Sequence, residues 1–302
     1  MSAIRSFDTL LARLAHVHRR FRVAVINAVD ASTIEALCSA LEAGFVEVLL
    51  VGEAPSAALA QRLAPFADHV RRVEVEGEDA AAARAVDLVR QGEVDILMKG
   101  LLHTDNLLRA VLNKEQGLLP AGRVLSHITV AEIPQFPRLL FITDVAVIPE
   151  PTDQQRESQV AYVDALCRSF GIEAPRIGLV HFTEKVSPKY PLTLHYRTLA
   201  EAAAQGKMGT TVIDGPLDIR TCVDPEALRA KGIDSPLQGE ADALVFPNLE
   251  AANGFYKTIT YFAHATVSGI LQGTTHPVVL TSRGDDSRSK LLSLATAAIS
   301  IL

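Results

Sequence analysis

Along the first half of the chain, short runs rich in Val, Ile and Leu alternate with longer stretches whose apolar residues recur at helical spacing, the pattern of parallel βαβ units. Strands are predicted over 23–26, 47–51, 70–75 and 94–98, and helices over 31–43, 56–63, 80–91 and 104–112. Asp79 and Thr104 are placed to cap the third and fourth of these helices. Two further apolar runs, 124–131 and 139–148, are separated by Ile133-Pro134-Gln135-Phe136-Pro137-Arg138, whose prolines argue for a loop or a sheet edge and for a crossing into a second domain. A helix over 156–170, a strand over 177–180, a helix over 193–205 and strands over 211–213 and 243–246 come next. Pro247-Asn248 stops the last of these and opens a long Pro-free stretch at helical spacing, and the arrangement repeats with a strand over 278–280, the turn Thr281 to Gly284 and a helix from near Ser287.

A chain of 302 residues exceeds the usual single core, and 48% hydrophobic residues suffice to fill two. The net charge of −6 supplies no basic field for a polyanion, so nucleic acid is not an expected partner. Cys38, Cys167 and Cys222 have no metal-ligand or disulfide spacing; Cys38 and Cys167 sit in helical apolar patterns as small buried hydrophobes, and a reducing compartment fits. The first residues alternate basic and apolar positions at helical spacing, without an apolar export core, and no apolar run reaches the ~18 residues of a membrane span. The expectation is a cytoplasmic protein with no membrane partner.

Several places could carry chemistry. Both late strand-to-helix turns, at Asn248 and at Ser282-Arg283, gather hydroxyls, backbone N–H groups and a guanidinium at helix N-termini, which suits a phosphate-bearing ligand; an ordinary βα turn with a solvated Arg explains the spacing as well. At the end of the fourth strand, Gly100 permits a tight turn, Thr104 caps the next helix, and Lys99 and His103 can face an anion there; a capped helix with a solvated Lys is the alternative. Ser126 and His127 are neighbours on a strand and point to opposite faces, so they are not a nucleophile–base pair. Asp144, inside an apolar strand-like run, needs a partner or a function. Asp214 to Leu217 reads as a turn, Asn248 as an N-cap or ligand donor, and Lys257 as a partner for Glu250 or Asp242.

The wording Pro247-Asn-Leu-Glu-Ala-Ala-Asn-Gly-Phe-Tyr-Lys257, with Asp-Gly-Pro-Leu at 214–217, Lys-Gly-Ile-Asp-Ser-Pro at 231–236 and Thr-Ser-Arg at 281–283, resembles the phosphate acetyl/butyryltransferases, which exchange an acyl group between CoA and phosphate. The resemblance runs from about Arg22 to the end, is densest over 211–290, and is closer to the butyryltransferase-like branch. It implies an α/β, two-domain, isocitrate/isopropylmalate dehydrogenase-like fold with a cleft between the domains, residues 1–134 plus 272–302 forming the first and 135–271 the second. It also implies a homodimer or larger homo-oligomer, CoA, acyl phosphate and inorganic phosphate as partners, no tightly bound cofactor and no metal. Within it, Ser282 suits the carbonyl oxygen, Arg283 the phosphate, Ser126 the role of hydrogen-bond donor to phosphate, and Lys99, Gly100, His103, Thr104, Asp214, Asn248, Asn253 and Lys257 the phosphate and CoA groups.

This sequence departs from the family pattern at Ile148, where Asn is frequent, at Arg220, where an Asp is usual, and at Ala252, where Gly is common. The largest departure is Ser289, where the acetyltransferase branch carries its base carboxylate; Asp285 and Asp286 are the candidates to replace it, and a solvated acidic pair leading a helix is the alternative. The expected function is transfer of a short acyl group between CoA and inorganic phosphate by direct thiol attack on acyl phosphate. A catalytically silent relative that binds acyl-CoA as a regulator is the second reading. A metal-dependent oxidative decarboxylase of the same fold needs clustered carboxylates and fits these motifs poorly.

Overall fold

The computed structural model describes residues 2–281 and 284–302. In chain order its elements begin with α1 (Phe7–Ala15), β1 (Phe21–Ile26), α2 (Ala31–Glu42), β2 (Val46–Gly52), α3 (Ala57–Leu63), β3 (Val70–Glu74), α4 (Glu78–Arg90), β4 (Ile96–Lys99) and α5 (Thr104–Val111). Next come β5 (Ser126–Glu132), β6 (Leu140–Thr143), α6 (Asp153–Ser169), β7 (Arg176–Val180), α7 (Pro191–Ala204), β8 (Val212–Leu217), α8 (Ile219–Val223), α9 (Pro225–Lys231), β9 (Ala243–Val245) and α10 (Leu249–Phe262). The chain closes with β10 (Thr266–Gln272), β11 (Val278–Val279) and α11 (Ser287–Ile299).

Two compact units emerge, one of Phe7–Leu125 with Val267–Leu302, the other of Ser126–Thr266 with the residues up to Ser6. Where the sequence places the crossings at 134/135 and 271/272, the structure places them at 125/126 and 266/267. Pairing is the reason for the first: β5 lies antiparallel to β6, so the two strands belong to one unit. The first residues join the same unit because the Ile4 N–H donates to Phe170 O at 2.8 Å and Arg5 pairs with Asp242 at 3.1 Å.

In the Phe7–Leu125/Val267–Leu302 unit the strands lie in the order β3-β2-β1-β4-β11-β10. The chain steps from β1 outward to β2 and β3, then returns to place β4 on the other side of β1, with β11 parallel beside it. Such a reversal opens a crevice at the carboxyl ends of the two diverging strands, here Ile26 and Lys99. β1 and β4 are buried, largely apolar strands, as expected for strands covered on both faces. In the other unit the order is β5-β6-β9-β7-β8, with β6, β9, β7 and β8 parallel.

Several local expectations change. Gly77, not Asp79, precedes α4, and His103, not Thr104, is the N-cap of α5; neither cap supplies a side-chain hydrogen bond, and Thr104 is already the first helical residue. Asp214 to Leu217 is not a turn but the body of β8, and the Asp214 carboxylate accepts from the adjacent Gly215 N–H at 2.8 Å. β6 ends at Thr143, so Asp144 begins a turn instead of lying inside a strand. The thiols of Cys167 and Cys222 are pushed up by burial, which leaves them inert packing groups.

Gly100 marks the tightest backbone approach at the β1/β4 crevice. Its N–H donates to Ile26 O at 2.9 Å, and a β-carbon there would lie 2.4 Å from Ile26 O and 2.5 Å from Asn27 O. Those neighbours are backbone and cannot yield cheaply. Gly100→Ala is therefore expected to cost about 1–3 kcal/mol, read as a lowered urea midpoint at unchanged slope.

Candidate active site

The carboxyl edge of β1, β4 and β11 gathers most of the residues singled out in the first unit. Lys99, the last residue of β4, is 1% exposed, and its Nζ donates to Gly100 O at 3.3 Å. Thr281, just beyond the β11 strand run and buried, donates to Lys99 O at 3.5 Å, so the segment leading to Ser282 and Arg283 starts beside Lys99. Ser282 and Arg283 themselves lie outside the described residues. His103 and Thr104 open α5 on the same edge, where the His103 N–H donates to Glu78 at 2.8 Å. With Asp105 in its first turn and no side-chain cap, α5 presents the positive end of its dipole there.

Asp286 is the N-cap of α11, and its carboxylate accepts from the Ser289 N–H at 2.7 Å. Asp285, half-buried, precedes it. The Asp286 carboxylate thus organises the start of α11, and Asp285 follows Gly284 in the turn before it.

Three residues of this edge escape a reading of the sequence. Asn27, buried and with φ of 50°, occupies the left-handed region that non-glycine residues rarely adopt, and its side-chain oxygen accepts from the Glu53 N–H at 3.1 Å. Asp30 caps α2, and Lys290 of α11, 3% exposed, donates to Asp30 at 3.0 Å, to Ser32 at 2.8 Å and to Thr33 at 3.0 Å. Burial works to raise the Asp30 pKa, but hydrogen bonds from Thr33, Ser32 and Lys290 outweigh it and hold the carboxyl well below the usual range. The Asp30-Ala-Ser-Thr wording signals a helix start; nothing in the sequence announces its cation 260 positions away.

In the second unit, Ser126 is fully buried and its hydroxyl donates to Asp144 at 2.9 Å. The Asp144 carboxylate also accepts from Ala146 and Val147 N–H groups at 2.9 Å and from His127 and Ile148 N–H groups at 3.3 Å. These donors offset the cost of burying the carboxylate, which fixes the turn after β6. Burial lowers the His127 pKa against the opposing pull of Asp144, so its imidazole is neutral near pH 7. Asn253 donates to Val145 O at 3.0 Å, and Arg156, also unmarked by any motif, donates to Pro151, Phe246 and Pro247 carbonyls at 3.0, 3.3 and 3.2 Å. These two side chains join the turns after β6 and β9.

Asn248 caps α10, its side-chain oxygen accepting from the Ala251 N–H at 3.0 Å. Lys257 does not pair with Glu250 or Asp242; its ammonium lies 4.7 Å from the Tyr256 ring centroid, because Asp242 at the opposite end of β9 is taken by Arg5 and the Arg176 N–H. Arg220 pairs with Asp224 at 3.0 Å on an exposed helix face. Ser126, Asp144 and Asn253 are thus brought together, whereas Asp214 and Lys257 are held elsewhere.

The profile described as "Phosphate acetyl/butaryl transferase" matches residues 68–298. The chain belongs to the phosphate acetyl/butyryltransferase family. A phosphate butyryltransferase of Clostridium acetobutylicum is 36% identical over 297 residues, covering 98% of each chain. Among solved structures, a branched-chain phosphotransacylase from Enterococcus faecalis superposes with a TM-score of 0.81 at 28% identity, over 93% of this chain and 99% of that one. The 4-hydroxythreonine-4-phosphate dehydrogenase of Klebsiella pneumoniae, at 12% identity, a TM-score of 0.50 and coverage of 93% and 99%, shares the fold alone. This family member is an acyltransferase on a dehydrogenase-like α/β fold.

The Lys290–Asp30 contact should dominate the stability of this edge. Lys290→Met leaves the half-buried Asp30 without its cation and is expected to cost about 1–3 kcal/mol, part of which Asp30→Asn restores in the double variant. Because the folded Asp30 pKa is depressed, the wild-type stabilisation is complete above the ordinary value of 3.8 and is lost as pH falls below it. Urea unfolding of the single and double variants between pH 7 and pH 3 measures both effects.

Proposed function

We propose that the chain transfers a short acyl group between CoA and inorganic phosphate by direct attack of the CoA thiol on acyl phosphate in a ternary complex. The observation that carries the reading is the convergence, on one sheet edge, of buried Lys99, the α5 N-terminus and the β11 segment that runs into Ser282-Arg283. Acyl phosphate is already activated, so no enzyme-bound acyl group is required. The thiol proton passes to a carboxylate, the sulfur bonds to the carbonyl carbon, the carbon–oxygen bond to phosphate breaks, and the leaving oxygen keeps the electron pair. The roles are then a guanidinium, Arg283, for two phosphate oxygens and a hydroxyl, Ser282, for the developing oxyanion.

Asp285 is the base in this reading, because it stands at the last position of the Ser282-Arg283-x-Asp wording of the butyryltransferase-like branch, whereas Asp286 is the N-cap of α11. Lys99, His103 and Thr104 serve the phosphate. Ser126, whose proton is given to Asp144, keeps its lone pairs for a donor on the ligand.

Ser289 favours a second reading, a catalytically silent acyl-CoA-binding relative, since the acetyltransferase-type base position holds no carboxylate. Thiol release and consumption, measured in each direction with acetyl, propionyl and butyryl substrates, separates the two; absence of turnover with all three, together with thermal stabilisation by CoA, selects the silent relative.

For the active enzyme, Arg283→Gln is expected to lower kcat/KM roughly 10²- to 10³-fold. Asp285→Asn should lower kcat by roughly 10²-fold or more and remove the acid limb of the pH profile. Asp286→Asn should retain most activity, since Asn caps a helix as well as Asp. The opposite ranking of the two Asn variants would move the base to Asp286.

A further inference from the structure

Between β7 and α7 the chain runs through His181 to Tyr190, and this loop displays Phe182 with 72% of its surface exposed. The ring is nevertheless fixed. Its centroid lies 4.6 Å from that of His181 at 31° and 5.0 Å from that of Tyr190 at 88°. The backbone beneath is braced by side-chain acceptors: the Thr183 N–H donates to His181 Nδ1 at 3.2 Å, the Lys185 N–H to Thr183 Oγ1 at 3.2 Å, the Lys189 N–H to Ser187 Oγ at 3.2 Å and the Ser187 N–H to Thr193 Oγ1 at 3.0 Å. A rigid loop holding an aromatic face in water has already met the ordering cost of binding a flat ligand.

The charge of the loop points the same way. Its one carboxylate, Glu184, is paired with Lys231, which also holds Asp218. Among the described residues, Lys185 and Lys189 have no carboxylate within ion-pair distance, and both are exposed. The Lys189 ammonium sits 5.7 Å from the Tyr190 ring centroid, close to the stack. The loop therefore offers an aromatic face and two uncompensated cations. It leaves the carboxyl end of β7, which lies between β9 and β8, and carboxyl ends of parallel strands are where open α/β sheets take ligands.

Of the substrates in the proposed reaction, acyl phosphate and inorganic phosphate carry no ring; CoA carries an adenine beside phosphates. We propose that Phe182 is the stacking platform for the CoA adenine, with Lys185 and Lys189 receiving its phosphates. The assignment rests on the acyl-transfer reading for the identity of the ligand and on the loop for its placement. Stacking is tolerant of the base and strong enough to anchor the far end of a long substrate.

The chain has no tryptophan, so Phe182→Trp installs a single fluorescent reporter on the platform. Its emission should be quenched by CoA and by adenosine 3′,5′-bisphosphate, and not by pantetheine. Phe182→Ala, which removes an exposed ring, should raise the KM for CoA about 10-fold without raising the KM for acyl phosphate. Lys185→Ala/Lys189→Ala should raise the KM for CoA and reduce its dependence on salt. Quenching by CoA in a protein that shows no turnover upholds the platform while overturning the acyl-transfer reading. Normal turnover with an unchanged KM for CoA in Phe182→Ala and an unresponsive tryptophan overturns the platform alone. A lower sedimentation coefficient for Phe182→Ala would make the ring a contact between copies of the chain and overturn the assignment.

Discussion

The buried ammonium of Lys290, bound to Asp30, Ser32 and Thr33, is the contact on which the first unit depends. It ties α11, the last helix of the chain, to the N-terminus of α2, and α11 has its whole second half buried. A lysine in that position is costly unless every donor is met, and the hydroxyls and carboxylate at the start of α2 meet them. The same joint fixes the exit of the turn after β11, whose other end begins beside Lys99 through Thr281.

The second unit solves a similar problem with a carboxylate. Asp144 lies buried at the end of β6 and draws the N–H groups of Ala146, Val147 and Ile148 around itself. Asn253 and Arg156 then couple that turn to the turn after β9. Both units thus build their carboxyl edges from buried polar groups whose partners come from distant strands and helices. Backbone N–H groups and a few local cations can hold a phosphate group without a net positive charge. A chain with a net charge of −6 can therefore bind anionic substrates.

Much of the alternating β and α pattern is legible because buried parallel strands and amphipathic helices have different periods. The strand over 94–98 and the helix from Ser287 correspond to β4 and α11 with boundaries shifted by two residues at most. β10 leaves no such trace, because its Thr266-Val-Ser-Gly-Ile-Leu-Gln272 mixes polar and apolar positions without strict alternation. α8 and α9 are equally silent; helices this short carry too few turns for a period to show. The caps of α4 and α5 lie one or two residues earlier than the sequence suggests, since Asp79 and Thr104 are good capping types standing just inside their helices. Helical spacing offers Lys257 a carboxylate partner, whereas its side chain folds over Tyr256.

By itself the sequence determined the α/β class, the strand-to-helix turns and, through the wording around Asn248 and Ser282, the family, because local period and turn chemistry are properties of consecutive residues. Tertiary structure alone decided that Asp144 is the hub of a turn and not a strand residue, that Asp286 is the cap of α11, and that Lys290 answers Asp30. It also decided that Asn27 takes a left-handed conformation against Gly52 and Gly100. Each of these depends on which distant atoms fill a donor, an acceptor or a gap too small for a methyl group, and no local pattern encodes that.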